Sequence, residues 1–227
     1  IAKYSLVERA LFVAMGCSLI NRIIVSSDSP EIIRLVNQYG DHAPFTRPSK
    51  LSTDEAGSLG VMQHALHWAE NKDKLEYDYI VLLEPTCPFR LPIHIKEALQ
   101  IAANIDCTSV MSVVAVGDYH PVRIKKMNDD GALKSYVTDE PEGLRRQDQE
   151  PAFIRNCAVN TFARSTLLSG KLWGDSPYGY LMDRSLYGIN IDEGIDVLTA
   201  IAFYHEMEKN KACLEKIEHI PQSIRGK

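Results

Sequence analysis

Apolar positions recur with two different periods along this chain, and the switches between them outline its elements. Residues 2–15 (AKYSLVERALFVAM) repeat at three- and four-residue spacing, the pattern of one helix face, and stop at Gly16. Nothing before this helix reads as a strand or a cap. Residues 20–26 (INRIIVS) form a short β-branched run, expected to be a strand. In the adjoining SDSPEIIRLVNQYG, Ser29 is placed to cap, Pro30 falls in the first helical turn and Gly40 is the stop, so the stretch reads as one β-α unit. After the irregular HAPFTRPSKLS, a helix is expected to open at Ser52-Thr53-Asp54-Glu55, where Ser52 and Glu55 have capping-box spacing, and to run to about Asn71.

Residues 79–83 (YIVLL) are apolar throughout, as in a parallel strand buried on both faces. The run breaks at Glu84-Pro85-Thr86-Cys87-Pro88, a rigid loop leading to a helix from about Pro92 to Asn104; Thr108 to Val116 is another strand. From Gly117 the character changes. VRIKKMNDDGALKSYV reads as a hairpin turning at Asp129-Asp130-Gly131, the polar TDEPEGLRRQDQEP comes next, and FIRNCAVNTF returns to strand pattern. Residues 117–158 are therefore expected to leave the core sheet. YGINI is the expected last strand and IDEGIDVLTAIAFYHEMEK the last helix. Alternating strands and helices predict an α/β fold, with a mostly parallel sheet flanked by helices. Ligands of such sheets sit at the carboxyl ends of the strands, where Glu84-Pro85-Thr86 and Asp192 fall.

Composition narrows the function. The 227 residues, 45% hydrophobic and 24% charged, suit one large domain, or one domain carrying a smaller projecting subdomain. Net charge is −5 with no Lys/Arg-rich tract, which disfavours a nucleic-acid binder. Acidic small molecules remain open to it through a few placed arginines and helix N-termini. No apolar run approaches the ~20 residues of a membrane span, and the first residues are not a signal peptide, because Lys3, Glu8 and Arg9 interrupt them. The five cysteines are scattered without C-x-x-C spacing, and are expected to be reduced thiols of a cytoplasmic protein. His64 and His67 read as ordinary helix residues.

Several segments resemble one family in sequence order. FTRPSKLSTDEAGSLGVMQHAL is similar to F-x-R-P-x-x-L-[AS]-x-D-x-[AS]-[ST] with a helix after it, and LLEPTCPFR to L-[QE]-P-T-S-P-[LF]-R. IIVSSDSPEI is similar to V-S-T-D-S-x-E-I, LRRQDQEPAFIRNCAV to R-R-Q-D-x-P-x-x-x-x-N-G-A, and INIDEGID to I-D-I-D-x-E-x-D. The family is the N-acylneuraminate cytidylyltransferases, or CMP-sialic acid synthetases, which make CMP-activated acidic nonulosonate sugars. The resemblance runs from Ile1 to about Asp196.

The resemblance implies a Rossmann-like nucleotidyltransferase fold that joins CTP to an acidic nine-carbon sugar with Mg²⁺ and releases pyrophosphate. It puts Arg47, Ala56 and Ser58 at the nucleotide, Glu84, Thr86, Arg123 and Arg155 at the sugar, and Asp192 with Asn190 at the metal. Arg47 and Asp192 are then the expected catalytic groups. Residues 117–158, with Arg145-Arg146-Gln147-Asp148, would be an arm for a homodimer or a dimer of dimers. The family's opening strand and basic loop, A-R-x-G-S-K, do not occur in the sequence, whose first residues resemble the family's segment just after that loop. Residues 1–227 are thus expected to form a single nucleotidyltransferase domain lacking that strand and loop.

Elementary chemistry agrees with parts of this. Pro48 holds Arg47 extended, Mg²⁺ takes carboxylate oxygens, and a carboxylate ending a buried strand, Glu84, should face a cleft rather than be buried unpaired. Plainer roles stand beside these: a loop arginine at 47, a rim pair between Glu84 and Arg90, a helix cap at Asp192, and surface charges at Arg123 and Arg155. The chain departs from the family with Glu84 where many relatives carry Gln, Asn190 for the first Asp, Cys87 for Ser, Cys157 for Gly and Asn160 for an aromatic residue. A CMP-Kdo type of sugar nucleotidyltransferase and a non-catalytic nucleotide- or sugar-binding relative are the alternatives.

Overall fold

A computed structural model describes residues 3–139, 141 and 144–209; the fifth cysteine, Cys213, lies outside these. Helix α1 (Leu6–Met15) does have a cap, contrary to the sequence expectation: the Ser5 hydroxyl accepts from Glu8 N while the Glu8 carboxylate accepts from Ser5 N at 2.8 Å. Helix α2 (Pro30–Asn37) opens on Ser29 with Pro in its first turn, as read. Residues 20–26 form no ladder among the described residues; Val25 N bonds to His42 O at 2.7 Å, and Ser27 makes an isolated bridge to Thr46. Helix α3 (Ser58–Asp73) begins later than the capping-box spacing suggested. The Ser52 hydroxyl instead donates to Pro48 O and accepts from Arg47, and Ala56 N turns back to Thr53 O at 3.0 Å.

Strand β1 (Tyr79–Leu82) leads through the proline loop to α4 (Pro92–Asn104) and then to β2 (Ser109–Ala115). The excursion is a hairpin of β3 (Lys125–Met127) and β4 (Leu133–Ser135), with Gly131 at φ +84° in its turn. The long β5 (Phe153–Ala163) runs into α5 (Arg164–Leu168); β6 (Pro177–Leu181), α6 (Arg184–Tyr187) and α7 (Gly194–Lys209) complete the order. The four-stranded sheet has the order β1-β5-β2-β6. Strands β1, β2 and β6 point the same way, with β5 antiparallel between β1 and β2. The expected strand YGINI is not one: Tyr187 ends α6, while Ile189 and Ile191 pack on α7.

Strand alternation puts apolar side chains on both faces, and each face has its helices. Val110 and Val159 meet Val13 of α1 and Ile95, Ala98 and Ala102 of α4. Phe162, with Ile80 and Leu82, meets Met62 of α3 and Leu167 of α5. This two-sided burial fixes the register of β1 and so the place where its carboxyl end delivers Glu84.

Candidate active site

The centre of the site is a break in the β2–β5 ladder. Pairing is regular at Met111–Asn160 and again at Val113–Arg155, so β5 carries surplus residues between them. Their backbone groups are satisfied by side chains. The Ser112 hydroxyl accepts from Val159 N at 2.9 Å, Cys87 Sγ donates to Asn156 O at 2.8 Å, and Arg90 Nη1 donates to Ala158 O at 2.8 Å. Asn156 closes the set, accepting from Ala158 N and donating to Tyr187 O at 3.0 Å. At the apex Cys157 has φ +56°. That left-handed conformation favours glycine, the residue in the resembled N-G-A pattern.

The proline loop joins this bulge to residues 189–192. Thr86 Oγ1 donates to Asn190 Oδ1 at 2.7 Å, Cys87 Sγ approaches the same oxygen at 3.2 Å, and Ile191 N donates to Thr86 O at 2.9 Å. The Asn190 amide nitrogen faces Asp192 Oδ2. This orientation of the amide gives the Thr86 hydroxyl an acceptor and the Asp192 carboxylate a donor. Asp192 itself is exposed and does not cap α7; Asp196 accepts from Asp192 N and Glu193 N instead, at 3.0 and 2.8 Å.

Burial pushes the Cys87 thiol up to about 12, although the Arg90 charge pulls the other way, so it serves as a neutral donor and not a nucleophile. Cys157 is also raised by burial; Arg155 opposes the shift and the carboxylates of Glu84 and Asp192 add to it. Arg90 is 2% exposed, and burial lowers its guanidinium to about 10. It spends Nε and Nη1 on the carbonyls of Cys87 and Ala158, and forms no ion pair with Glu84.

Arg47 lies on a second stretch. Its amide donates to Ser27 O at 2.8 Å, its Nε to Ser52 Oγ at 3.1 Å and its Nη2 to Asp28 Oδ1 at 3.2 Å. The loop ends at Ala56 and at Ser58, the first residue of α3, whose N-terminus at Gly57 has no side-chain cap. No hydrogen bond or ion pair joins this stretch to Asp192 among the described residues. Arg123 faces Asp118 at 3.6 Å, and Arg146 faces the same carboxylate at 3.1 Å. The exposed Arg155 lays its guanidinium over Trp173, 5.0 Å from the ring centroid.

The comparisons with known proteins bear on these segments together. No protein-family model matches the chain. The N-acylneuraminate cytidylyltransferase of Streptococcus agalactiae is 30% identical over 180 residues, which are 79% of this chain and 41% of that protein. The CMP-N,N'-diacetyllegionaminic acid synthase of Legionella pneumophila is 26% identical over 200 residues, 86% of this chain and 81% of the relative. Over most of its length the chain is similar to N-acylneuraminate cytidylyltransferases and related CMP-nonulosonate synthases. It spans under half the length of the Streptococcus relative. The fold is shared with a solved CMP:2-keto-3-deoxy-manno-octonic acid synthetase complexed with CTP, at 13% identity and TM-score 0.62 over 89% of this chain and 88% of that one.

Beside the resembled segments, several side chains have structural roles that the sequence reading did not give them. Asp28 holds Arg47, Asp118 holds Arg123 and Arg146, and Ser112, Arg90 and Asn156 build the bulge. Asp28 and Arg90 do lie within the quoted motifs, as the Asp of SSDSPEI and the last residue of LLEPTCPFR. Ser112 gave no signal, since a serine in an apolar strand has no local mark of its partner. Among the described residues no group of three or more His, Cys, Asp and Glu side chains converges as a metal site.

Proposed function

We propose that this chain is the catalytic domain of a cytidylyltransferase that activates an acidic nine-carbon sugar with CTP. The observation that carries the reading is the joining of motif segments 104 residues apart at Thr86 and Asn190, at the carboxyl end of β1. The sugar's anomeric hydroxyl attacks the α-phosphorus of CTP. The new O–P bond gives the CMP-sugar, the α–β anhydride bond breaks, pyrophosphate leaves and the hydroxyl proton is released. No covalent enzyme intermediate is required, consistent with the un-ionised Cys87 thiol.

Arg47 meets the nucleotide with Ala56 and Ser58. Its guanidinium is already oriented by Asp28 and Ser52, which reduces the ordering that binding demands. Mg²⁺ suits the exposed Asp192, because this ion takes one or two carboxylates and leaves the rest of its shell to water and phosphate. When bound it supplies charge neutralisation at the reacting phosphates. Asn190 is a weaker candidate ligand than its sequence position suggests: the Thr86 hydroxyl already donates to its amide oxygen. Its part is to hold Asp192 in place. On the sugar side stand Glu84, Thr86 and Arg155, with Arg123 on the excursion.

Residues 117–152 serve as a dimerisation arm; residues 153–158 of the expected excursion lie instead in β5, paired with β2 in the core sheet. The support is an exposed apolar surface on the hairpin and its flanks, including Tyr119, Met127, Leu133, Tyr136, Val137 and Phe153. The unbridged Cys17, Cys87, Cys107 and Cys157 suit a reducing, cytoplasmic setting. Pyrophosphate release tests the reading. It should require CTP, Mg²⁺ and a nonulosonic acid together; equal turnover with ATP, or with the eight-carbon Kdo, would replace it by another nucleotidyltransferase.

A further inference from the structure

Arg90 joins two segments of the site that lie far apart in the chain. Its Nε donates to Cys87 O at 3.0 Å and its Nη1 to Ala158 O at 2.8 Å, so one planar group spans the proline loop and the bulge of β5. The side chain is buried and forms no ion pair among the described residues. Keeping a guanidinium in the interior is costly for stability, and apolar residues of similar volume often serve a fold as well or better. The negative charge of the nearby Glu84 offsets only part of that cost, since burial still prevails.

The loop held by Arg90 carries the connection onward. Cys87 Sγ donates to Asn156 O at 2.8 Å, a second tie between loop and bulge. One residue earlier, Thr86 Oγ1 donates to Asn190 Oδ1 at 2.7 Å, and Thr86 O accepts from Ile191 N at 2.9 Å. The Asn190 amide nitrogen then faces the exposed Asp192 carboxylate. A shift of the loop at Cys87 therefore reaches Asp192 through the two bonds made by Thr86.

On the sugar-activating reading, on which this inference rests, we propose that Arg90 is a positioning residue: it clamps the proline loop to the bulge so that Thr86 and Asn190 present Asp192 to the metal-bound nucleotide. Arg90 acts through the loop alone. The role accounts for an arginine at this buried place. A charged donor makes hydrogen bonds roughly twice as strong as a neutral one, and only a planar fork reaches both carbonyls; the compact ammonium of a lysine does not.

The test uses Arg90→Lys, Arg90→Gln and Thr86→Val. Amide hydrogen exchange, followed by mass spectrometry without metal or substrate, reads the peptide over residues 189–196, which contains the Ile191 N–H bonded to Thr86 O. Exchange there is expected to be at least about tenfold faster in all three variants, with peptides from β1 and α3 unchanged. In pyrophosphate release, the Mg²⁺ concentration for half-maximal rate should rise several-fold in each, and Arg90→Lys should add nothing to Thr86→Val in the double variant. A purely structural role speeds exchange in the core as well and leaves the Mg²⁺ requirement of the folded protein unmoved. Unchanged exchange over 189–196, an unchanged Mg²⁺ requirement, or additive effects in the double variant overturns the proposal. So does loss of the fold in both Arg90 variants, which would make Arg90 a residue of the fold alone. No pyrophosphate from the wild type with any nonulosonic acid overturns the sugar-activating reading, and this inference with it; the exchange measurement, which needs neither metal nor turnover, tells the two failures apart.

Discussion

Thr86 donates its hydroxyl hydrogen to the Asn190 amide oxygen at 2.7 Å, and the other end of that amide faces Asp192. A loop leaving β1 thus sets the direction of a carboxylate more than a hundred residues later in the chain. The Cys87 thiol, held protonated by burial, donates to Asn156 O and so ties the same loop to the bulge. The position of Asp192 is therefore set through uncharged groups.

Asp192→Asn should keep the fold and lose about a hundredfold to a thousandfold in kcat, the usual cost of removing one electrostatic contact to a transition state. Asn190→Asp should lower the Mg²⁺ concentration needed for half-maximal rate, since it adds a second carboxylate beside the first. Rate against Mg²⁺ for wild type and both variants is the measurement. Full activity of Asp192→Asn at all Mg²⁺ concentrations removes Asp192 from the mechanism.

Arg47→Lys should weaken CTP binding by at least about tenfold, because an ammonium cannot hold Asp28 and Ser52 while offering a planar fork to the nucleotide. Titration of CTP into both proteins decides it. Unchanged affinity would leave Arg47 a loop residue braced by Asp28.

Cys157→Gly should stabilise the protein by about 1 kcal/mol, because the left-handed backbone at φ +56° strains any residue with a Cβ. Chemical unfolding gives the comparison. A destabilised glycine variant would show that packing of the cysteine side chain outweighs backbone strain.

Much of the fold was legible in the sequence, because local signals and tertiary pairing agreed there. Helix α4, strand β2 and the Asp129–Gly131 hairpin fall where periodicity placed them. The exceptions are decided by distant partners. Strand β6 (PYGYL) contains Pro177 and Gly179, poor strand formers, yet pairs in parallel with β2 at the sheet edge. Residues 187–191 have strand-like alternation, but their isoleucines are buried by α7 rather than by a ladder. Ser52 has capping spacing and is claimed by Arg47 instead. In the site, the motif residues could be read, but the bulge could not: its donors come from β2, the proline loop and β5 itself.

Stability should fall on the acid side of neutrality through His94. Its Nδ1 accepts from Leu91 N at 3.1 Å and its ring packs edge-on to Tyr187; burial lowers it to about 4, with Glu97 opposing and Arg90 assisting. The unfolded chain binds a proton near pH 6.5 and the folded chain does not, so stability drops as pH falls from 6.5 toward 4. The contribution lost between pH 7 and 4.5 is roughly 2–3 kcal/mol. Unfolding free energies at both pH values should show a smaller drop in His94→Gln; an equal drop would assign the acid sensitivity to other groups.

The most direct test of the account is mass-spectrometric detection of the product formed by the purified protein from CTP, Mg²⁺ and a nonulosonic acid. The account predicts a CMP-sugar that accumulates in step with pyrophosphate and depends on all three components. No CMP-sugar from a folded protein that binds CTP would contradict it, and would make the chain a nucleotide-binding relative without cytidylyltransferase activity.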